Sequence, residues 1–486
     1  MPSFNPTQHR AAALPCRPDH ARPALRLLAD GAASAWRGGL AWQLLGIGLG
    51  LGLIISPLAW ADAPAAETWN AHGQATYIWQ TKPAMTAPYT GPNSLIGPRE
   101  HSYSFTATAA LGWRPYAGAE LYANAEAAQG VPLSNLAGLG GFSNGEMARS
   151  SGATLKVYRA RLFGRQTWAL GGDAGQAGSA PGDAVESDFN QLAGLLPQRR
   201  LVLTVGNLSV ADLFDDNTYS HDPRTQFLNW SLMSMGAYDF AADARGYSTG
   251  AALEWFHDDW ALRYGRFALP REPNQQSLDP QLLRHYGDQL ELEHHHRIAG
   301  QPGALRVLVF HDRTRLARFD DALARGRQTG AAPDINAVRS RVQDKWGVGV
   351  GLEQALTPDI GLFARVSQAD GQTETDAFTE IDRSLSAGLL LNGAPWQRAG
   401  DSLGLGLAVN RLSAARRDYL AAGGISFFIG DGRLRYGAEQ VLELFYSLRL
   451  APGVDLSLNG QRITHPGYNA DRGPATFVAT RLHVEF

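Results

Sequence analysis

The stretch W-N-A-H-G-Q-A-T-Y-I-W-Q, from Trp69 to Gln80, alternates with a period of two. Trp69, Ala71, Gly73, Ala75, Tyr77 and Trp79 fall on one face; Asn70, His72, Gln74, Thr76, Ile78 and Gln80 fall on the other. Successive side chains of a strand point to opposite faces, so this strand has an apolar side with aromatics at both ends and a mostly polar side. At about 3.3 Å per residue and a tilt near 40°, the aromatic spacing covers roughly 20–25 Å, the height of the apolar band of an outer-membrane barrel. Strands of soluble sheets are shorter, about 5–6 residues.

The same pattern recurs to the end of the chain, over 69–81, 101–114, 119–129, 153–170, 199–209, 246–257, 260–269, 287–298, 304–313, 343–355, 360–369, 380–392, 401–412, 437–450, 453–464 and 475–486. These sixteen segments predict an all-β fold, a sixteen-stranded antiparallel transmembrane β-barrel. Short connections such as Asp258-Asp259 alternate with long ones, as periplasmic turns alternate with external loops. The connection 171–198 falls on the short side yet is long, which implies a periplasmic insertion or a register error there. Phe486 closes the last alternating strand, as the terminal aromatic that a barrel-assembly machinery reads would do.

Composition agrees. The 486 residues carry a formal net charge of −3, and only 18% are charged. Near-neutral charge argues against a nucleic-acid partner. The arginine-bearing stretch before Leu40, the apolar run Leu40–Leu58 and Ala59-Trp60-Ala61 read as a secretory signal cleaved after Ala61, leaving residues 62–486 as one barrel domain. Cleavage removes Cys16, the single cysteine, so neither disulfides nor Cys-based zinc sites are expected.

Charged residues on the polar face, Glu120, Glu126, Arg159, Arg161, Arg165, Glu254, Arg263, Glu291, Glu293, Arg365, Glu443 and Arg481 among them, imply a water-filled lumen. Arg159, Arg161 and Arg165 read as one row on one strand face, opposed by Glu120 and Glu126 on the preceding strand. Arg–carboxylate forks are planar arrays that also suit sugar hydroxyls, although the same charges would serve simply to hydrate a wide pore. The long connection 210–245 interleaves Asp215, Asn217, Asp222 and Arg224 with Phe214, Tyr219, Phe227 and Trp230. Its length and aromatic content predict that it folds inward as a constriction. Its acids lack calcium-loop spacing, and His294-His295-His296 on a strand cannot converge, so no metal and no cofactor are expected. No G-x-S-x-G or H-E-x-x-H string is present, so no enzyme activity is expected.

Longer strings carry a resemblance: ESDFNQLAG from Glu186, RRLVLTVGNLSVADLFDDN from Arg199, HDPRTQFLNW from His221, RDYLAAGG from Arg417, FFIGDGRLRY from Phe427 and YNADRGP from Tyr468. Together they resemble the carbohydrate-selective outer-membrane porins, OprB-like, over essentially the whole chain from Trp69. The resemblance implies an integral outer-membrane barrel in contact with lipid, passing small sugars such as glucose passively into the periplasm. Its channel would be narrowed by inward-folded loops. Carried onto this chain, the constriction set is Glu120, Glu126, Arg159, Arg161, Arg165, Asp215, Asn217, Asp222, Arg224 and Trp230. The residues leave open a porin for another solute such as an anion, a barrel enzyme, a soluble envelope lectin, and association of several copies.

Overall fold

The computed structural model describes residues 66–150, 152–171 and 182–486, so the expected signal segment 1–61 lies outside the described residues. The first strands are β1 (Trp69–Lys82), β2 (Glu100–Tyr116), β3 (Ala119–Val131) and β4 (Gly152–Ala169). A hairpin, β5 (Gly182–Val185) and β6 (Gly194–Pro197), precedes β7 (Arg200–Leu208), β8 (Ser248–His257) and β9 (Trp260–Phe267). Then come β10 (Tyr286–Ile298), β11 (Gln301–Arg315), β12 (Val342–Thr357), β13 (Ile360–Ala369) and β14 (Arg383–Asn392). The last are β15 (Ser402–Arg411), β16 (Glu439–Ala451), β17 (Val454–Thr464) and β18 (Ala475–Glu485). Helical pieces α1 (Trp230–Met233), α2 (Phe319–Thr329) and α3 (Ala414–Ala421) lie in the long connections.

All strands except the β5–β6 pair form one closed antiparallel barrel of sixteen in chain order, β4 pairing directly with β7 and β18 closing on β1. The long connection 171–198 is therefore an insertion carrying its own hairpin, and the barrel register runs on unbroken past it. Closure leaves no open sheet edge to face hydrocarbon. At the seam, Gly73 and Phe486 exchange backbone hydrogen bonds of 2.8 and 2.9 Å. A side chain at position 73 would meet the Phe486 ring, its Cβ lying 2.5 Å from Cε2.

The outward face is apolar and exposed, with Trp69, Trp113, Trp168, Trp255 and Trp260 near the ends served by short turns. Tyr77, Tyr264 and Trp346 mark the opposite rim. These are the two aromatic belts that border lipid.

The lumen is not simply wet. The segments 133–149, 209–247 and 370–382 fold into it and build an aromatic core from Phe142, Phe214, Trp230, Phe240 and Phe378, packed against Phe310 of the wall strand β11. Wall charges satisfy the backbone of these segments. Glu443 accepts from the amides of Leu228 and Asn229 at 2.6 and 2.9 Å, and Glu291 accepts from Asp215 N at 2.9 Å. Arg365 donates to Leu232 O and Ser220 O, and Arg481 to Pro223 O, Thr225 O and Gln226 O. Buried charge is tolerable only with such partners, so the charges expected to hydrate the lumen serve largely to fasten loops.

Candidate functional site: a charged constriction

Strand β4 is paired on one side only over its external half. Its bonds to β7 cover Leu162–Ala169, whereas its bonds to β3 continue to Gly152. The ladder with β3 shifts register between Arg161, opposite Asn124, and Arg159, opposite Ala125. The extra residue, Ala160, makes a β-bulge, and one inserted residue exchanges the faces of everything beyond it.

This bulge corrects the expected arginine row. Arg161, Phe163 and Arg165 share the inward phase, but beyond Ala160 the inward residue is Tyr158, opposite Glu126. Arg159 pairs with outward-facing Ala125 and is exposed on the outside of the barrel. It does not line the lumen.

Around Glu126 the structure gathers a compact polar cluster. Arg224 Nη2 donates to Glu126 Oε2 at 3.0 Å, Arg149 Nη1 donates to the same oxygen at 3.4 Å, and the Tyr158 and Tyr247 hydroxyls donate as well. Glu146 adds a second carboxylate, 3.1 Å from Arg224 Nε and 3.8 Å from Arg149 Nε. Arg161 forks onto Asp212, Nε to Oδ2 at 2.7 Å and Nη2 to Oδ1 at 2.5 Å. Its guanidinium lies 5.3 Å from the Tyr247 ring centre, and that of Arg245 lies 4.1 Å from the Tyr158 ring centre.

Local sequence explains how these groups are presented. Asn144 caps a 3₁₀ turn by accepting from Glu146 N, which fixes Glu146 and Arg149 over the lumen. Ser209 and Asp212 form a capping box at the start of the inward segment, which aims Asp212 back at β4. The Asp222 side chain accepts from Arg224 N at 2.9 Å and sets the turn that delivers Arg224.

The loop members are held in their charged states. Burial opposes the charge of Arg149 and Arg224, yet the adjacent Glu146 and Glu126 carboxylates keep both above the ordinary arginine value. Burial likewise opposes ionisation of Asp212, and Arg161 more than offsets it, holding the carboxyl below its ordinary value. Asp222 is held low in the same way by Arg224. Burial pushes the Tyr247 phenol up to about 12.

Of the expected residues, Glu126, Arg161, Asp222 and Arg224 meet here. Glu120 and Arg165 lie toward the opposite end of the lumen. There Glu120 accepts from Arg114 at 2.7 Å and Tyr122 at 2.8 Å, and Arg165 donates to Asn190 O of the insertion at 3.2 Å. Tyr122 and Asn70 also bond the insertion, so this group fastens it across the periplasmic mouth. Asp215, Asn217 and Trp230 correct the sequence reading differently, because their side chains are spent on holding and packing the inward loop itself. Asp215 bonds Arg365 and Met235 N, Asn217 turns the chain through Tyr219 N and Ser220 N, and Trp230 packs on Phe142 and Phe240.

Sequence reasoning missed Asn124, Glu146, Arg149, Tyr158, Asp212 and Tyr247. Asn124 sits on the inward face between Tyr122 and Glu126, and both its amide atoms are buried without a hydrogen-bond partner, as is Glu146 Oε1. Glu146 Oε1 faces Arg149 Nε at 3.8 Å, and the Asn124 amide is enclosed beside it. The signal for Glu146 and Arg149 was their place in the long connection 130–152, to which the aromatic content of 210–245 gave no pointer.

The family described as "Carbohydrate-selective porin, OprB family" matches residues 102–486. Among solved structures, the chain is similar to Pseudomonas putida OprB, at 14% identity and a TM-score of 0.63, covering 86% of this chain and 94% of that one. The Acinetobacter baumannii outer membrane channel DcaP aligns at 9% identity and a TM-score of 0.46, covering 86% of this chain and 97% of that one. No curated protein matches the sequence.

Proposed function

The chain belongs to the OprB family of carbohydrate-selective porins and is an integral outer-membrane β-barrel, and on that premise we propose that it passes small neutral sugars by passive diffusion through the Glu126 cluster. The observation that carries this reading is charge balance at high polar density. Arg149, Arg161, Arg224 and Arg245 are set against the carboxyl groups of Glu126, Glu146, Asp212, Asp222 and Asp243, so that groups of the two signs are nearly matched. A balanced array exerts little net field on an ion but offers donors and acceptors to a polyol. The balance speaks against an anion channel, and no catalytic step is assigned to the cluster. Glu120, Arg165 and the insertion act in this reading as a frame at the periplasmic mouth. Residues 1–61 act as the export signal, and Phe486 as the recognition point for barrel assembly.

The test is single-channel conductance of the refolded protein in a planar bilayer, titrated with glucose and then with a neutral amino acid. Saturable block by glucose alone supports the reading. Open channels indifferent to both solutes refute the sugar assignment while leaving the barrel intact.

A further inference from the structure

An arginine cluster lies outside the lumen, on the outward face at the external rim. Arg383 opens β14 and Arg411 ends β15, and the two are direct cross-strand partners. They share the outward phase of the exposed Leu385 and Leu407. Arg417 reaches the same place from α3, its Nε donating to Ser413 O at 3.3 Å and its guanidinium 4.8 Å from the Tyr436 ring centre. With Leu412, Tyr436 and Ala438, the three arginines line an open cavity of about 260 Å³.

Among the described residues, none of these three arginines has a carboxylate within 4.0 Å, in contrast to the paired arginines of the lumen wall such as Arg161, Arg263, Arg306 and Arg365. Asp382, the acid beside Arg383 in sequence, is buried and committed to Arg416 and Ser413 N. Asp418 on α3 is exposed and makes no ion pair with the cluster. Like charges placed directly opposite across a ladder repel. Three guanidiniums around one cavity therefore need an anion that the chain does not supply.

We propose that this cavity binds the phosphate of an outer-leaflet glycolipid. Planar guanidiniums match phosphate oxygens in paired bonds. The cavity opens away from the lumen, so the solute stream does not pass it. Leu385, two residues along from Arg383, begins the apolar surface, at about 7 Å for two residues of strand. That places the arginines at the boundary between headgroups and acyl chains, where a lipid phosphate lies.

Native mass spectrometry of the full detergent-solubilised barrel tests this with three probes: bisphosphorylated lipid A, its phosphate-free counterpart, and inorganic phosphate. The expected result is retention of the phosphorylated lipid at least about tenfold better than the phosphate-free form. That preference should vanish in R383Q/R411Q/R417Q and survive in R383K/R411K/R417K, with channel conductance unchanged in both. If the triple glutamine variant fails to fold, Arg417→Gln alone, on the surface helix, should weaken binding about threefold. Equal retention of both lipids, undiminished binding by the glutamine variants, displacement of the lipid by equimolar inorganic phosphate, or dimers in place of lipid adducts would each overturn the proposal.

Discussion

Arg161 on the barrel wall and Asp212 at the head of the inward segment are joined by two parallel hydrogen bonds, at 2.7 and 2.5 Å. The pair fastens the loop to the half of β4 that β7 leaves unpaired, and it also faces the charged cluster. Arg161→Gln removes the partner of a carboxylate in that cluster. The expected outcome is a shift of reversal potential toward cations and about tenfold weaker glucose block. The double variant R161Q/D212N should return ion selectivity close to that of the parent, which separates lost charge balance from general damage to the loop.

Arg159 provides the contrast. Because the bulge at Ala160 turns it outward, Arg159→Ala should leave ion selectivity and sugar block unchanged in the same bilayer assay. It should also raise barrel stability by up to about 2 kcal/mol, since an arginine on the lipid face is costly away from the headgroups. A selectivity shift as large as that of the Arg161 variant would refute the bulge.

Arg416 is fully buried between Asp382, at 2.9 Å, and Glu380. Glu380 also accepts from Ser426 Oγ at 2.6 Å and Phe428 N at 3.2 Å, so this cluster ties three external segments together. Arg416→Met leaves two buried carboxylates without their cation, a loss of about 3–5 kcal/mol. Heat-modified migration of the barrel should then occur at a clearly lower temperature, and Arg416→Lys should recover part of the difference.

The pH response follows from the loop groups of the constriction. Asp212 and Asp222 have folded-state values below the ordinary carboxylate value. Their stabilising contribution is therefore present above that ordinary value and lost as pH falls through the lower folded one. Tyr247 is displaced the other way, up to about 12. These three keep their charge states from about pH 5 to about pH 9. Reversal potential should be flat over that range and move toward anions only below about pH 4, as the carboxylates protonate and the arginines dominate. A sigmoidal change centred near neutrality would contradict this assignment.

The barrel was legible in the sequence because period-two alternation with aromatic ends states both a strand and its environment, as Trp69–Trp79 does. The phase of β4 was not. Nothing in V-Y-R-A-R-L-F marks Ala160 as an extra residue, and a single insertion reverses Tyr158 and Arg159 while the letters still appear to alternate. The role of the wall charges was hidden for another reason. Glu443 showed itself as an inward acid, but its partners are amides of Leu228 and Asn229, more than 200 positions away, and a main-chain partner leaves no mark in composition. Glu120, Glu126, Arg161 and Arg165 were correctly read as inward. Which end of the lumen each one serves depended on where the insertion at 182–197 and the turn at 145–149 came to rest.

The anchoring of the inward segment has an evolutionary reading. Glu443, Glu291, Arg365 and Arg481 hold main-chain atoms, which every amino acid presents alike. Side chains along the segment other than the fasteners Asp212, Asp215 and Asn217 can therefore be exchanged without releasing its path, so long as their bulk fits. The barrel acts as a rigid mould for a backbone trace on which the chemistry at the narrowing can be rewritten. A lineage of such chains could pass from one polyol to another by replacing a few loop residues, with the strands left untouched.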